Sequence, residues 1–237
     1  MKLLYEGKTK RVYEYNDDKV LLEFKDVFTA FDGKKVEEVS GKGEINAKFT
    51  ELLMKYLEEK GVPTHFIRRE GNKIIAKKTN PIPLEFIVRN YAYGSLLKRL
   101  PILKKGQKLI VPVYEIHYKN DELHDPLLSE SDPIAAGLLT PEQAEKIKEM
   151  TLKVNEYLSD LFNKAGFKLI DMKLEYGIDN NGNILLIDEI SPDAFRAHKD
   201  GEVYDKDLFR TGKPGSEVLK KYVELLNALE EIINEAV

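Results

Sequence analysis

The chain has no cysteine and no tryptophan. Without thiols it forms no disulfide, thiolate zinc site or iron–sulfur cluster, and it has no thiol nucleophile. No apolar run approaches the roughly 20 residues that a membrane span needs. Positive charge is not in surplus. The 37 Lys and Arg face 41 Asp and Glu, for a net charge of −4, whereas nucleic-acid binders usually present a basic face. Glu6 and Lys8 stand where a signal peptide needs an apolar core. These absences predict a cytoplasmic protein with neither membrane nor nucleic acid as partner. Repeats and low-complexity tracts are missing too, and so is a Ser-His-Asp pattern. Gly7-Lys8-Thr9 is no Walker A loop, because Lys2 occupies the place of its first glycine.

What is present is a soluble globular composition, 42% hydrophobic and 33% charged over 237 residues. A chain of this length buries enough surface to fold without a metal or disulfide staple. Its first 30 residues alternate as strands around a turn at Asn16-Asp17-Asp18, which predicts an antiparallel meander. Apolar spacing predicts helices over about 44–60, 141–165 and 216 to the end, with a short one over 95–100. Strands are predicted over 65–69, 73–78, 84–88, 169–178 and 184–189. Pro81 and Pro83 stiffen a connector. The reading is an α+β protein of two lobes, a mainly antiparallel β lobe over 1–80 and a mixed lobe over 81–237.

The richest segment is Asp171-Met172-Lys173-Leu174-Glu175-Tyr176. Strand alternation puts Asp171, Lys173 and Glu175 on one face and Met172, Leu174 and Tyr176 on an apolar one. Asn181-Gly182 predicts a two-residue hairpin turn, which sets Glu175 directly opposite Asp188. Opposed carboxylates call for a shared proton, a basic partner or a bound cation. Magnesium suits one or two carboxylates completed by water and phosphate oxygens. A solvated strand face screened by Lys173 is the alternative.

Other segments carry weaker signals. Gly7-Lys8-Thr9-Lys10 lies between strands and suits either a phosphate-covering turn or a plain hairpin. Arg89 precedes Gly94-Ser95, where Ser95 reads as the N-cap of a helix, so the pair suits a phosphate or a simple structural cap. Asp193 and Arg196 follow the carboxylate hairpin. Lys119 to Pro126 is a dense polar loop in which His124 reads as structural, and Asp32 sits in the turn Phe31-Asp32-Gly33.

Taken in order, six motifs resemble one family. They are Glu-Gly-Lys-Thr-Lys-Arg-Val-Tyr at 6–13, Ala-Phe-Asp-Gly at 30–33, Val-Arg-Asn-x-x-x-Gly-Ser at 88–95, Lys-Asn-Asp-x-x-His-Asp-Pro at 119–126, Asp-x-Lys-Leu-Glu-x-Gly at 171–177 and Asp-Glu-x-x-x-Asp-x-x-Arg at 188–196. The set resembles the SAICAR synthetase family. That resemblance implies an ATP-dependent ligase of purine biosynthesis with a kinase- or ATP-grasp-like cleft. It would join L-aspartate to carboxyaminoimidazole ribonucleotide through an acyl phosphate. It implies Lys8 and Lys10 on the ATP phosphates, the Lys77–Pro81 connector on adenine, and Glu85 on the ribose. Glu175 and Asp188 would hold magnesium, and Lys119 and Lys173 would neutralise the transferring phosphoryl group. Arg89, Ser95 and Arg196 would take the 5′-phosphate and Asp193 a ribose hydroxyl. Asp32 and Asp125 would contact the imidazole substrate or position the amine. Ala194-Phe195 departs from the small polar residues of many relatives.

Two rivals remain open, a kinase-like phosphotransferase and a non-catalytic nucleotide-binding module. The first should carry a His-Arg-Asp catalytic loop with a following Asn, and this sequence has none. Small molecules are the expected partners, and self-association into a homo-oligomer is left open.

Overall fold

The N-terminal third alternates short strands, and the reason is local: β-branched and aromatic residues recur every second position between tight turns. The computed structural model describes residues 1–236. Its first strands are β1 (Leu3–Glu6), β2 (Lys10–Asn16), β3 (Lys19–Phe24), β4 (Val27–Ala30) and β5 (Lys35–Glu38). Helix α1 (Lys42–Glu59) follows, then β6 (Phe66–Glu70), β7 (Lys73–Lys77), β8 (Asn80–Pro81) and β9 (Leu84–Tyr91). The short α2 (Ser95–Arg99) leads to β10 (Lys108–Tyr118), β11 (Leu127–Leu128) and α3 (Asp132–Ala135). Helix α4 (Pro141–Lys164) precedes β12 (Lys168–Ile178), β13 (Ile184–Ile187), β14 (Phe195–Lys199) and β15 (Glu202–Val203). Helices α5 (Asp207–Arg210) and α6 (Gly215–Glu235) end the chain.

The protein is α+β with antiparallel sheets. A five-stranded sheet has the order β1-β2-β3-β7-β6, and a larger one runs β11-β10-β9-β12-β14-β15. The β4–β5 pair, β10 with its neighbour β11, and β14 beside β12 escape the sequence reading. The long helices fall where their caps put them. Thr140 and Gln143 close a reciprocal capping box on α4, Pro141 occupies its first turn, and Gly166 at φ +82° ends the run. One apolar cluster holds the layers together, from Leu22 and Phe49 through Phe86 and Tyr176 to Leu229.

Strand β12 organises the centre. Its first half pairs with β9 on one side and β14 on the other, and its second half pairs with β8 and β13. Gly177 lets the connector approach at that point, since a Cβ there would collide with the Thr79 side chain. Met172, Leu174 and Tyr176 enter the core. Asp171, Lys173 and Glu175 point the other way and meet one another's partners in a row. At about 3.3 Å per residue, that row spans roughly 13 Å.

The hairpin register differs from the sequence reading. Glu175 pairs with Ile187 rather than Asp188. The turn is not the two-residue loop that Asn181-Gly182 suggests. Asp179 accepts the backbone N–H groups of Asn181 and Asn183, and five residues separate the strands. A slip of one residue should send Asp188 to the wrong face. It does not, because β13 ends at Ile187 and Asp188 adopts φ +66°.

Candidate functional site

Two adjoining cavities lie along the β12 row. The larger, about 840 Å³, has apolar walls from Val12, Val20, Leu22 and Ile82, and its lining includes Lys10, Lys119, Glu175 and Asp188. The connector residues Lys77, Lys78 and Thr79 also line it. The smaller cavity, about 240 Å³, is polar, with Arg89, Arg196, Asp171 and Lys173 in its wall.

In the larger cavity the positive groups are lysines held by acids. Lys10 pairs with Glu189 and, at 3.1 Å, with Asp188. Burial works against its ammonium, but those two carboxylates outweigh burial and hold Lys10 above its usual range. Lys119 donates to Glu175 at 2.8 Å. Lys173 donates to Glu85 at 3.1 Å and lies 3.9 Å from Glu175. Burial and the neighbouring Asp188 charge push Glu175 up to about 7, with Lys173 and Lys119 restraining the rise. Burial opposes the Asp188 charge too, but Lys10, Lys173 and Lys119 outweigh it and hold Asp188 below the carboxylate range. The two acids thus come together through the left-handed residue at 188 instead of through direct pairing. His65 lies under the loop with Nε2 at 3.2 Å from the Asp188 carbonyl, and burial keeps its ring neutral, at about 4.

The smaller cavity is built on arginines. Every N–H of Arg89 has an acceptor: Glu115 takes two, and Asp171, Ser95 and the Tyr93 carbonyl take the others. Arg196 donates to Asp171 at 2.9 Å and to Asp207 at 2.7 Å. Among the described residues its Nη2 donates to none. Gly94, at φ +63°, lays its backbone against both guanidiniums, and a Cβ there would come within 3.1 Å of Arg196 and 3.3 Å of Arg89. Ser95 is not the helix cap: Gly94 holds that position, and the Ser95 hydroxyl accepts from Arg89 at 3.0 Å.

The remaining predicted residues are placed as follows. Glu85 lines the smaller cavity and not the larger one, bound to Lys173. Asp125, at φ +48°, lines the same cavity and caps the backbone N–H of Asn120. Asp193 also lines it, gripped by Lys42, Asn46 and Tyr222. Burial disfavours its charge, yet Lys42 and Lys206 keep the Asp193 carboxyl at about 2. Lys8 is exposed at the mouth, 3.5 Å from Asp121 and 3.9 Å from Asp32. Asp32 sits in the β4–β5 turn, lines neither cavity, and also approaches the exposed His124 at 3.4 Å.

Sequence reasoning missed Lys42, Asn46, Glu115, His117 and Glu189 as polar groups of the site. Two signals were available. Lys42, Asn46 and Thr50 make a polar stripe at four-residue spacing on the buried face of α1. Glu115, His117 and Lys119 alternate as a strand does. Glu115 and His117 on β10 and Lys119 just past its end serve the site: Glu115 accepts from Arg89, Arg99 and His117, and Lys119 lines the larger cavity.

Comparison with known proteins adds to this geometry. The family model for SAICAR synthetase matches residues 3–226. A phosphoribosylaminoimidazole-succinocarboxamide synthase of Caldivirga maquilingensis is 47% identical, over 96% of this chain and 95% of that protein. A solved SAICAR synthetase in complex with ADP superposes with a TM-score of 0.90 at 45% identity, covering 95% of this chain and 96% of its own. The crystal structure of the synthase from Ehrlichia chaffeensis gives a TM-score of 0.91 at 38% identity, covering 97% and 98%. With a match over nearly its whole length and the two-cavity architecture in place, this chain belongs to the SAICAR synthetase family.

Proposed function

We propose that the chain joins L-aspartate to the carboxylate of carboxyaminoimidazole ribonucleotide at the expense of ATP, giving the succinocarboxamide, ADP and phosphate. The observation that carries this reading is the row on β12. It runs from an arginine-lined cavity suited to a phosphorylated ribose to an apolar-walled cavity suited to a nucleotide. A relative of 45% identity was solved with ADP, which supports nucleotide binding in the larger cavity.

The adenine lies between the apolar walls and the 77–83 connector, in a cleft between the 1–80 segment and the rest. Lys10 and Lys119 turn from their carboxylates to the phosphates, and Lys8 closes over them from the mouth. Glu175 and Asp188 offer hard oxygen donors, and no trio of acids or histidines forms a protein-only metal cage among the described residues. That donor set suits magnesium completed by phosphate oxygens and water. When bound, magnesium neutralises charge on the phosphates.

At the other end, Arg196 Nη2, the Ser95 hydroxyl proton and the Gly94 backbone receive the 5′-phosphate. Arg89 adds its charge and holds Ser95. Asp193 keeps one acceptor site on Oδ1 for a ribose hydroxyl. Lys173 stands between the cavities, steered by Glu85, where the phosphoryl group moves. A carboxylate is a poor acyl donor because oxide leaves badly. The γ-phosphoryl group therefore passes to a carboxylate oxygen, and ADP departs. The aspartate amine then attacks the acyl carbon, phosphate leaves with that oxygen, and the amine loses a proton. Asp125 positions the amine; Asp32 acts only at the mouth. Catalysis on this reading is positioning and charge neutralisation, with no protein nucleophile. Phosphorylated substrates support a cytoplasmic site of action, and no described helix is long and apolar enough to cross a membrane.

The test is ATP consumption measured with each substrate omitted in turn. ADP formation should require the imidazole ribonucleotide, and succinocarboxamide should require aspartate as well. ATP turnover with a hydroxyl acceptor in place of both would favour the kinase-like reading.

A further inference from the structure

Two carboxylates outside the β12 row stand close to each other along the buried loop that follows β13. Glu189 accepts Lys10 on Oε1, and on Oε2 it accepts the Ser191 hydroxyl at 2.6 Å and Asn46 Nδ2 at 3.5 Å. Asp193 accepts the same Asn46 Nδ2 at 3.0 Å, together with the Lys42 ammonium, on Oδ2. The Ser191 hydroxyl also accepts the backbone N–H of Asp193 at 3.2 Å. Asn46 and Ser191 are both sealed from solvent, at 1% and 0% exposure. Asn46 therefore bridges a carboxylate that holds the lysine of the larger cavity and a carboxylate that lines the smaller one.

We propose that Asn46 is a positioning residue that couples occupancy of the two cavities, passing the departure of Lys10 from Glu189 on to the Asp193 carboxylate. The proposal rests on the nucleotide and ribonucleotide reading above. Its physical basis is the demand of a buried charge for compensation. When Lys10 turns to a polyphosphate, Glu189 keeps only Ser191 and Asn46 as donors. The long Asn46 contact to Glu189 then shortens at the expense of the contact to Asp193. Nothing resists that pivot on the other side of the amide, because Asn46 Oδ1 is buried without a hydrogen-bond partner. The backbone beneath stays fixed, since Thr50 Oγ1 donates to the Asn46 carbonyl and accepts from Ile190 N–H. The amide can turn on a rigid support, and Asp193 feels the change where it faces the smaller cavity.

The experiment is a binding cycle by calorimetry at constant magnesium. The affinity of ADP is measured with and without saturating carboxyaminoimidazole ribonucleotide, and the reverse. In the wild-type protein each ligand should change the affinity of the other by the same factor, about fivefold or more. In Asn46→Ala that factor should fall close to one. An unchanged factor overturns the proposal, and so does a parallel loss of both single-ligand affinities, which marks a purely structural role. Should Asn46→Ala fail to fold, Asn46→Ser, which keeps a polar group but lacks the amide that spans both carboxylates, decides: a reduced factor supports the coupling and an unchanged one overturns it. If the wild type binds both ligands with a factor of one, the coupling alone is overturned. If it binds neither, the functional reading falls, and the coupling with it.

Discussion

The two cavities solve the same electrostatic problem with different side chains. On the proposed reading both attract phosphates, and both hold cations paired with carboxylates. The larger uses lysines, Lys10 and Lys119, each resting on a carboxylate. The smaller uses arginines, with Arg89 and Arg196 sharing Asp171. A lysine is a point charge on a flexible stem and changes partner by rotating. An arginine is a planar fork that stays where its hydrogen bonds fix it. On the proposed reading the larger cavity is therefore suited to exchange of partners and the smaller one is a fixed cradle, and in both the acids offset repulsion between the cations.

The comparison breaks most visibly at Lys10. Lys10→Met leaves Asp188 and Glu189 without their shared ammonium, in a largely buried place. Removing one partner of a buried pair costs about 3–5 kcal/mol. A urea melt should show that loss, together with abolished ATP turnover; an unshifted midpoint would mean the acids are solvated.

The arginines should separate from each other. Arg196→Lys removes a fork with free donors, so it should raise the KM for the imidazole ribonucleotide and spare that for ATP. The expected loss is about 1.5–3 kcal/mol, the range for a hydrogen bond to a charged group. Arg89→Lys takes hydrogen-bond donors away from Glu115 and Asp171, so it should lower the melting temperature before it affects either KM. Steady-state kinetics beside thermal melts would show whether the two variants reverse these roles.

A smaller effect tests the carboxylate pair by pH. Burial and the Asp188 charge push Glu175 up to about 7 in the folded state, against an ordinary value of 4.5. The folded protein thus binds more protons than the unfolded chain between those values, and stability falls as pH rises through that window. Glu175→Gln abolishes the fall. Without magnesium, the variant should match wild type near pH 5 and exceed it near pH 8 by on the order of 2 kcal/mol. Magnesium should stabilise wild type and leave the variant unmoved. Equal pH profiles for the two proteins would sink the pair.

The least costly change is at the mouth. Gly7 N–H donates to the Lys10 carbonyl, and Lys25 donates its Nζ to the Gly7 carbonyl and its backbone N–H to the Thr9 carbonyl, while Lys8 stays exposed. Amide exchange over residues 5–13 should slow when ADP and magnesium bind. Equal exchange with and without nucleotide would make the turn a rigid hairpin.

Much of this molecule was readable from its sequence. Helix α4 announces both ends through Thr140, Pro141 and Gly166, and the apolar face of β12 follows from alternation alone. The α+β class and the residues of the β12 row followed from the same local rules. What escaped depended on distant or irregular features. Strand β10 begins with Ile110 and Val111 exposed and Pro112 interrupting, so it carries no clean alternation before Glu115. The hairpin register failed because the Asp179 side chain, and not an Asn-Gly turn, sets the loop. The partners of Lys10 lie far along the chain, at 188 and 189, the second of them 179 residues away. No pattern in a window reveals such a pair.

Strand β12 also limits how this protein can change in length. Loops elsewhere can gain or lose residues while the cavities stay put. Between Asp171 and Glu175 a single inserted or deleted residue would reverse the facing of everything beyond it. One substrate site would be turned into the core and Leu174 or Tyr176 into solvent. The count of these five residues is therefore frozen by the alternation of their faces.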